Sequence, residues 1–279
     1  MSDSRVDTYA PQNRLIRTTE VRFRAPGEGP RLAGTLYLPE GAEPPLPGLV
    51  VAHGAGSRRS RHERFSRTAA AAGFAVLALD LRGHGDSSGQ VDADSHLDVV
   101  AAADYLRRRP AVDGERICFR GSSMGSYLGL LAAGEAGLCA LALLCPATEG
   151  VLLAGLENLD KREEEGEVKL TARFDKEGLR AALTRRNVFR LAEHITTPTL
   201  IVQARGDTTV PPDESLKLAA DLKGPTQVIL LPGGDHASAQ ASPEVDYLVV
   251  EWLTRTAGRA PAPSTEPLGK PPASPSRPT

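Results

Sequence analysis

Cys118-Phe119-Arg120-Gly121-Ser122-Ser123-Met124-Gly125-Ser126 decides how this chain is read. Ile117, Cys118 and Phe119 lead in as an apolar run, small residues fill the centre, and Leu128, Leu130, Leu131 and Ala132 follow at helical spacing. The pattern is a strand, a tight turn and a helix. Gly121, Ser123 and Gly125 fit G-x-S-x-G, a turn that holds a serine in a strained backbone conformation with its hydroxyl beyond the end of the sheet. The N-terminus of the following helix supplies N–H groups and positive dipole where an oxyanion would form. Spacing selects Ser123 over Ser122, which lacks glycines two residues to either side. Among 27 glycines the motif alone is weak. A small-residue turn that lets helix and strand pack closely would read the same, so its meaning depends on a base, an acid and a second oxyanion donor.

Working outward, 18–25 and 31–39 alternate apolar with polar residues, as two half-exposed antiparallel strands around the Pro26–Pro30 turn would. The runs 47–52, 74–79, 138–144, 199–203 and 226–231 are continuously apolar and short, the signature of strands covered on both faces. Helical patterns alternate with them, at 63–72, 95–109 (capped by Asp94 or Ser95), 212–222 and 243–256. This order predicts a doubly wound, mostly parallel eight-stranded α/β sheet with an antiparallel start and helices on both faces.

Residues 147–196 interrupt the alternation with the charged run Asp160–Glu165 and a helical pattern from Lys176 to Leu191. At the C-terminal edge of the sheet this insertion is either a small lid over the site or a peripheral excursion with a solvated face. Residues 1–17 read as an N-terminal extension, 18–258 as the domain, and 259–279 as a disordered Pro- and Ser-rich tail.

A length of 279 residues suffices for a large buried core, and 33 Lys plus Arg against 35 Asp plus Glu favour neither nucleic acid nor an anionic membrane as partner. Cys118, Cys139 and Cys145 lie in apolar runs without metal-ligand spacing and read as reduced, buried strand residues. The N-terminus has no apolar leader segment and no stretch is long enough to span a membrane, so cytoplasmic residence is the default expectation. Neither metal nor cofactor is indicated, and the oligomeric state stays open.

A serine nucleophile needs a base, because its hydroxyl is scarcely ionised near neutrality. His236, in Gly233-Gly234-Asp235-His236 after the last core strand, stands where open sheets gather catalytic groups. Asp207 follows the preceding strand and would orient the imidazole from its neighbour; Asp80 and Asp235 are rival carboxylates. His53-Gly54-Ala55-Gly56, after the strand at 47–52, would bring the Ala55 N–H to the oxyanion beside that of Met124. His53 itself reads as a structural loop residue.

The succession HGAG, DLRGHGDSSG, GSSMG, DTTVP, GGDHA over residues 18–257 resembles the α/β-hydrolase superfamily, and within it the cinnamoyl and feruloyl esterase-like and serine aminopeptidase-like branches. The resemblance implies a serine hydrolase acting through an acyl-enzyme on a small-molecule ester of small or medium acyl group. Peptide, amide or thioester cleavage and acyl transfer would use the same three side chains, and a non-catalytic binding scaffold is the remaining alternative. Two departures stand out: Arg120-Gly121-Ser122 where relatives often place His or Tyr before the nucleophile, and Gln203-Ala204-Arg205-Gly206 where many have His-Gly.

Overall fold

In the computed structural model, which describes residues 14–166 and 171–258, the apolar runs pair into one eight-stranded sheet. In chain order the elements are β1 (Ile16–Arg24), β2 (Arg31–Pro39), β3 (Leu46–Ala52), α1 (Glu63–Ala71), β4 (Ala75–Asp80), α2 (Leu97–Arg107), β5 (Val112–Ser122) and α3 (Met124–Ala132). There follow β6 (Ala140–Leu144), α4 (Glu149–Glu164), α5 (Lys176–Arg185), α6 (Val188–Ala192), β7 (Thr199–Ala204), α7 (Pro212–Asp221), β8 (Thr226–Leu231), α8 (Ser238–Ala241) and α9 (Pro243–Ala257). The spatial order is β1-β2-β4-β3-β5-β6-β7-β8, with β1 and β2 antiparallel and all pairings from β4 onward parallel.

Strand alternation divides the core in two. Val50 and Ala52 of β3, with Leu77 and Leu79 of β4, pack under α2 and α3, whereas Leu49 and Val51, with Val76 and Ala78, pack under α1 and α9. Helices on both faces explain why the central strands are apolar at consecutive positions. One consequence fixes the site: every parallel strand ends at the same edge, so the loops after β3, β4, β5, β6, β7 and β8 converge there.

Several expectations need correction. The extension ends before residue 16, because β1 begins at Ile16, which pairs with Pro39 and packs on the core. Strand β2 is mostly buried rather than half-exposed, since it lies between β1 and β4. Neither Asp94 nor Ser95 caps α2: His96 stands at the N-cap and the Ser95 hydroxyl bonds Asp92. The pattern from Lys176 to Leu191 is two helices, broken at Arg186 in extended backbone, after which Asn187 accepts from the N–H groups of Phe189 and Arg190. Cys139 precedes β6 and is partly exposed, because that strand begins only at Ala140. The tail at 259–279 and residues 1–13 of the extension lie outside the described residues.

Leu143 of β6 has no exposed surface and sits in the larger core. Leu143→Ala should lower unfolding free energy by about 2–5 kcal/mol in urea titration; a loss below about 1 kcal/mol would contradict this packing.

Candidate active site

The turn from β5 to α3 places Ser123 at φ 50° and ψ −116°, left-handed backbone that a serine adopts only when its surroundings impose it. Its N–H donates to Leu144 O at 2.8 Å, tying the turn to β6. Both motif glycines are there for close approach. A Cβ at Gly121 would lie 2.6 Å from Ser126 N, and one at Gly125 would lie 2.6 Å from His53 O. The same contact brings the HGAG loop to Ser123, whose Cβ Gly54 faces.

The amides of Ala55 and Met124 donate to no acceptor among the described residues, although their neighbours are engaged. Gly56 N–H donates to His84 Nε2 at 3.0 Å and Ser57 N–H to Gly54 O at 3.2 Å. Ala55, Met124 and Ser123 line one cavity of about 450 Å³. Two free amides beside a serine hydroxyl are what an oxyanion hole requires.

Buried histidines hold this loop. His53 Nε2 accepts from Leu81 N–H at 3.0 Å, leaving its Nδ1 to donate to Gly54 O at 2.7 Å. His84 does likewise, accepting from Gly56 at Nε2 and donating from Nδ1 to Arg82 O at 3.1 Å. Both rings must therefore be neutral. Burial, and then the neighbouring His84, push His53 down to about 4, and burial lowers His84 too. Both ring nitrogens of each histidine are engaged in holding the loop.

The structure joins Asp207 and His236 directly, with His236 Nδ1 2.8 Å from Asp207 Oδ2. Asp207 follows β7 and is only 4% exposed. Its Oδ1 accepts from the amides of Thr209 and Val210 at 2.9 and 2.8 Å, and its Oδ2 also accepts from Gln203 Nε2 at 3.0 Å. Burial alone would raise its pKa, but the Val210 amide and the His236 ring outweigh it and hold the carboxyl below its ordinary value. An ionised acceptor fixes the Nδ1–H tautomer and leaves Nε2 as the basic atom. The His236 side chain is 22% exposed, open to a substrate. Ser123 follows the end of β5 along the same edge, and among the described residues no hydrogen bond joins its hydroxyl to His236. The rival carboxylates are occupied elsewhere: Asp80 accepts from Arg59 and from Asp86 N–H, and Asp235 from Ser238 N–H at 2.8 Å.

Cys145, Arg120, His62 and Gln240 contribute in ways the sequence reading did not assign. Cys145 Sγ lies within 4.8 Å of the ligating atoms of Asp207 and His236, a donor set that could hold a metal only by displacing the bond between those two. Burial and the Asp207 charge push this thiol up to about 12, so it stays protonated beside the carboxylate. Arg120, fully buried on β5, reaches in the other direction. Its guanidinium donates to His62 Nδ1 at 2.7 Å and to Gln240 O at 3.0 Å, while Gln240 Nε2 donates to His236 O at 2.8 Å. Strand β5 thus grips the short helix α8 that follows the His236 loop. A signal for this existed: an arginine inside an otherwise apolar central strand must have a purpose, because an unpaired buried charge is costly.

The insertion roofs the cavity. Leu152 and Leu156 of α4, Phe174, and Leu179 of α5 face Ser123 across it. Three backbone hydrogen bonds anchor the segment before α5 to the loop after β4: Arg173 N–H to Gly83 O at 3.0 Å, Val91 N–H to Arg173 O at 2.8 Å and Asp175 N–H to Val91 O at 2.9 Å. Its outer side carries the charged run, where Lys176 and Arg180 of α5 bond Asp160 of α4. One side of the insertion thus lines the cavity and the other carries its charges.

With this geometry in hand, comparison with known proteins is decisive at the level of family. Residues 61–260 match the sequence profile of the prolyl oligopeptidase family. The chain belongs to that family, and through it to the α/β-hydrolase superfamily. The quorum-quenching protein AidA of Acinetobacter baumannii is 38% identical over 122 residues, 41% of this chain and 40% of that protein. The chain thus spans well under two thirds of that relative's length. Among solved structures, the α/β hydrolase GrgF from a Penicillium species superposes with a TM-score of 0.72 at 18% identity, covering 87% of this chain and all of the other (100%). An esterase from Pyrococcus furiosus gives 0.68 at 21% identity, covering 91% and 98%. These two share the fold.

The histidine network carries a pH consequence. His53 and His84 bind protons near 6.5 when unfolded but resist protonation when folded. Unfolding therefore takes up protons below that value, and stability is lost as pH falls. The melting temperature should drop progressively from about pH 6.5 toward 4, less steeply in His53→Gln; a melting temperature that rises over this interval would contradict the neutral network.

Proposed function

We propose that the protein is a serine hydrolase cleaving carboxylic esters of small or medium acyl groups. The observation that carries this is the ionised Asp207 holding His236 at one sheet edge while two unengaged amides flank Ser123 in the same cavity. Ser123 Oγ attacks the carbonyl as His236 Nε2 takes its proton, the Ala55 and Met124 N–H groups hold the oxyanion, and the imidazolium protonates the departing alcohol. Water, deprotonated by the same ring, then releases the acid. Asp207 keeps its charge throughout and stabilises the imidazolium. The fold shared with an esterase supports the ester reading.

Amide or peptide cleavage is the second reading, favoured by membership in the prolyl oligopeptidase family. The two differ at the leaving group, not at the nucleophile. We also carry forward, as proposals, cytoplasmic residence and a substrate that is a small molecule. Among the described residues no helix is long and apolar enough to cross a membrane.

Steady-state assays on p-nitrophenyl esters of graded chain length, beside an aminoacyl amide, test the choice. Ester kcat/KM should exceed that of the amide; the reverse order would favour the peptidase, and no turnover of either would sink both. Asp207→Asn should lower kcat by about 10⁴-fold through the wrong tautomer, with KM little changed. Arg120→Gln should lower kcat about 10- to 100-fold, with partial recovery in Arg120→Lys, because it holds the histidine loop without touching substrate. An Arg120→Gln enzyme as fast as wild type would show the grip to be dispensable.

A further inference from the structure

Two of the three cysteines take no part in this site, and they face each other. Cys118 Sγ and Cys139 Sγ stand 3.2 Å apart, and both are free thiols. The backbone holds them there. Cys118 of β5 pairs with Ala140 of β6, and Cys139, in the bend just before β6, donates its N–H to Ile117 O at 2.8 Å, which brings it beside Cys118. A disulfide needs sulfurs about 2.05 Å apart, a closure on the order of 1 Å from here.

The two sulfurs are not equivalent. Cys118 has no exposed surface, whereas Cys139 is partly exposed and lines a cavity of about 600 Å³ with Arg116 and Trp252. Their contact, with help from the Arg116 cation, lowers the Cys139 pKa, while the same contact and burial raise that of Cys118. An accessible sulfur inclined to ionise beside a buried thiol is the arrangement of an attacking and a resolving cysteine.

We infer that Cys118 and Cys139 form a reversible dithiol–disulfide pair, oxidised by hydroperoxides that enter through the cavity at Cys139. The Cys139 thiolate attacks one peroxide oxygen, the O–O bond breaks, and water or an alcohol leaves, giving a sulfenic acid at Cys139. Cys118 Sγ then attacks that sulfur, the S–O bond breaks, and the expelled hydroxide takes the Cys118 proton as water. The two thiols together lose two electrons and two protons, and the peroxide gains both. Cys118 lies on β5 five residues before Ser123, which follows the strand's end, about 16 Å of chain at the usual rise, so the bridge forms without touching Ser123. Cys145, buried and protonated beside Asp207, does not compete.

The test treats the full chain with hydrogen peroxide, blocks remaining thiols with an alkylating agent, and maps peptides without reduction. A cross-linked peptide joining Cys118 to Cys139, lighter by two hydrogens and restored by dithiothreitol, is expected. Dimedone should trap a sulfenic acid at Cys139 in Cys118→Ser and nothing at Cys118 in Cys139→Ser. Because either variant could fold poorly, the wild-type map decides alone. Full alkylation of both cysteines after peroxide, a bridge involving Cys145, or Cys139 driven to sulfonic acid while Cys118 stays a free thiol would each overturn the inference.

Discussion

A serine held at φ 50° between a strand and a helix is the constraint on which the rest of the molecule depends. Left to itself, that conformation would relax, at a gain of order 1–3 kcal/mol. It persists because neither side leaves room: Gly121 lies against the first turn of α3, Gly125 lies against the carbonyls of Ala52 and His53, and Ser123 N–H is committed to Leu144. The same crowding that strains the serine presses the HGAG loop against it. Strain and oxyanion geometry are therefore one packing arrangement, in which a side chain at either glycine would undo both.

From there the site spreads along the sheet edge. Asp207 and His236 come from the ends of the next strands but one and two, and their geometry is set by backbone amides and Gln203, not by chance contact. Arg120 adds a connection behind the sheet edge, from the nucleophile strand through Gln240 to the histidine carbonyl. Its side chain is desolvated enough that burial lowers its pKa to about 10, which an arginine still meets fully charged near neutrality. Beside it His62, pushed down by burial and by that charge, stays neutral and accepts the guanidinium proton donor. The guanidinium is met by this ring and the Gln240 carbonyl, while its buried Nε has no partner among the described residues.

How much of this was legible in advance follows from the range over which each interaction acts. The parallel order, the elbow and the positions of Asp207 and His236 could be read because strand ends, glycines and a histidine loop leave marks within a few residues. Arg120 was visible as an anomaly, but its partners lie 58 and 120 residues away, and no local pattern names them. The break between α5 and α6 was missed because helical periodicity runs through Asn187, whose side chain captures two amides of the next turn. The reading of Cys139 as buried failed for a similar reason: Leu138 and Cys139 continue the apolar run of β6 in sequence but precede the strand in space. Composition could not assign the insertion, because α4 and α5 are apolar toward the cavity and charged on the other side.

The claim that Ser123 is a nucleophile activated at this edge is tested most directly by reacting the purified protein with a fluorophosphonate and locating the adduct by mass spectrometry. The account predicts one phosphonylated residue, Ser123, absent from Ser123→Ala and formed far more slowly in His236→Ala. An unmodified wild-type protein, an adduct on another residue, or equal labelling of Ser123→Ala would contradict it.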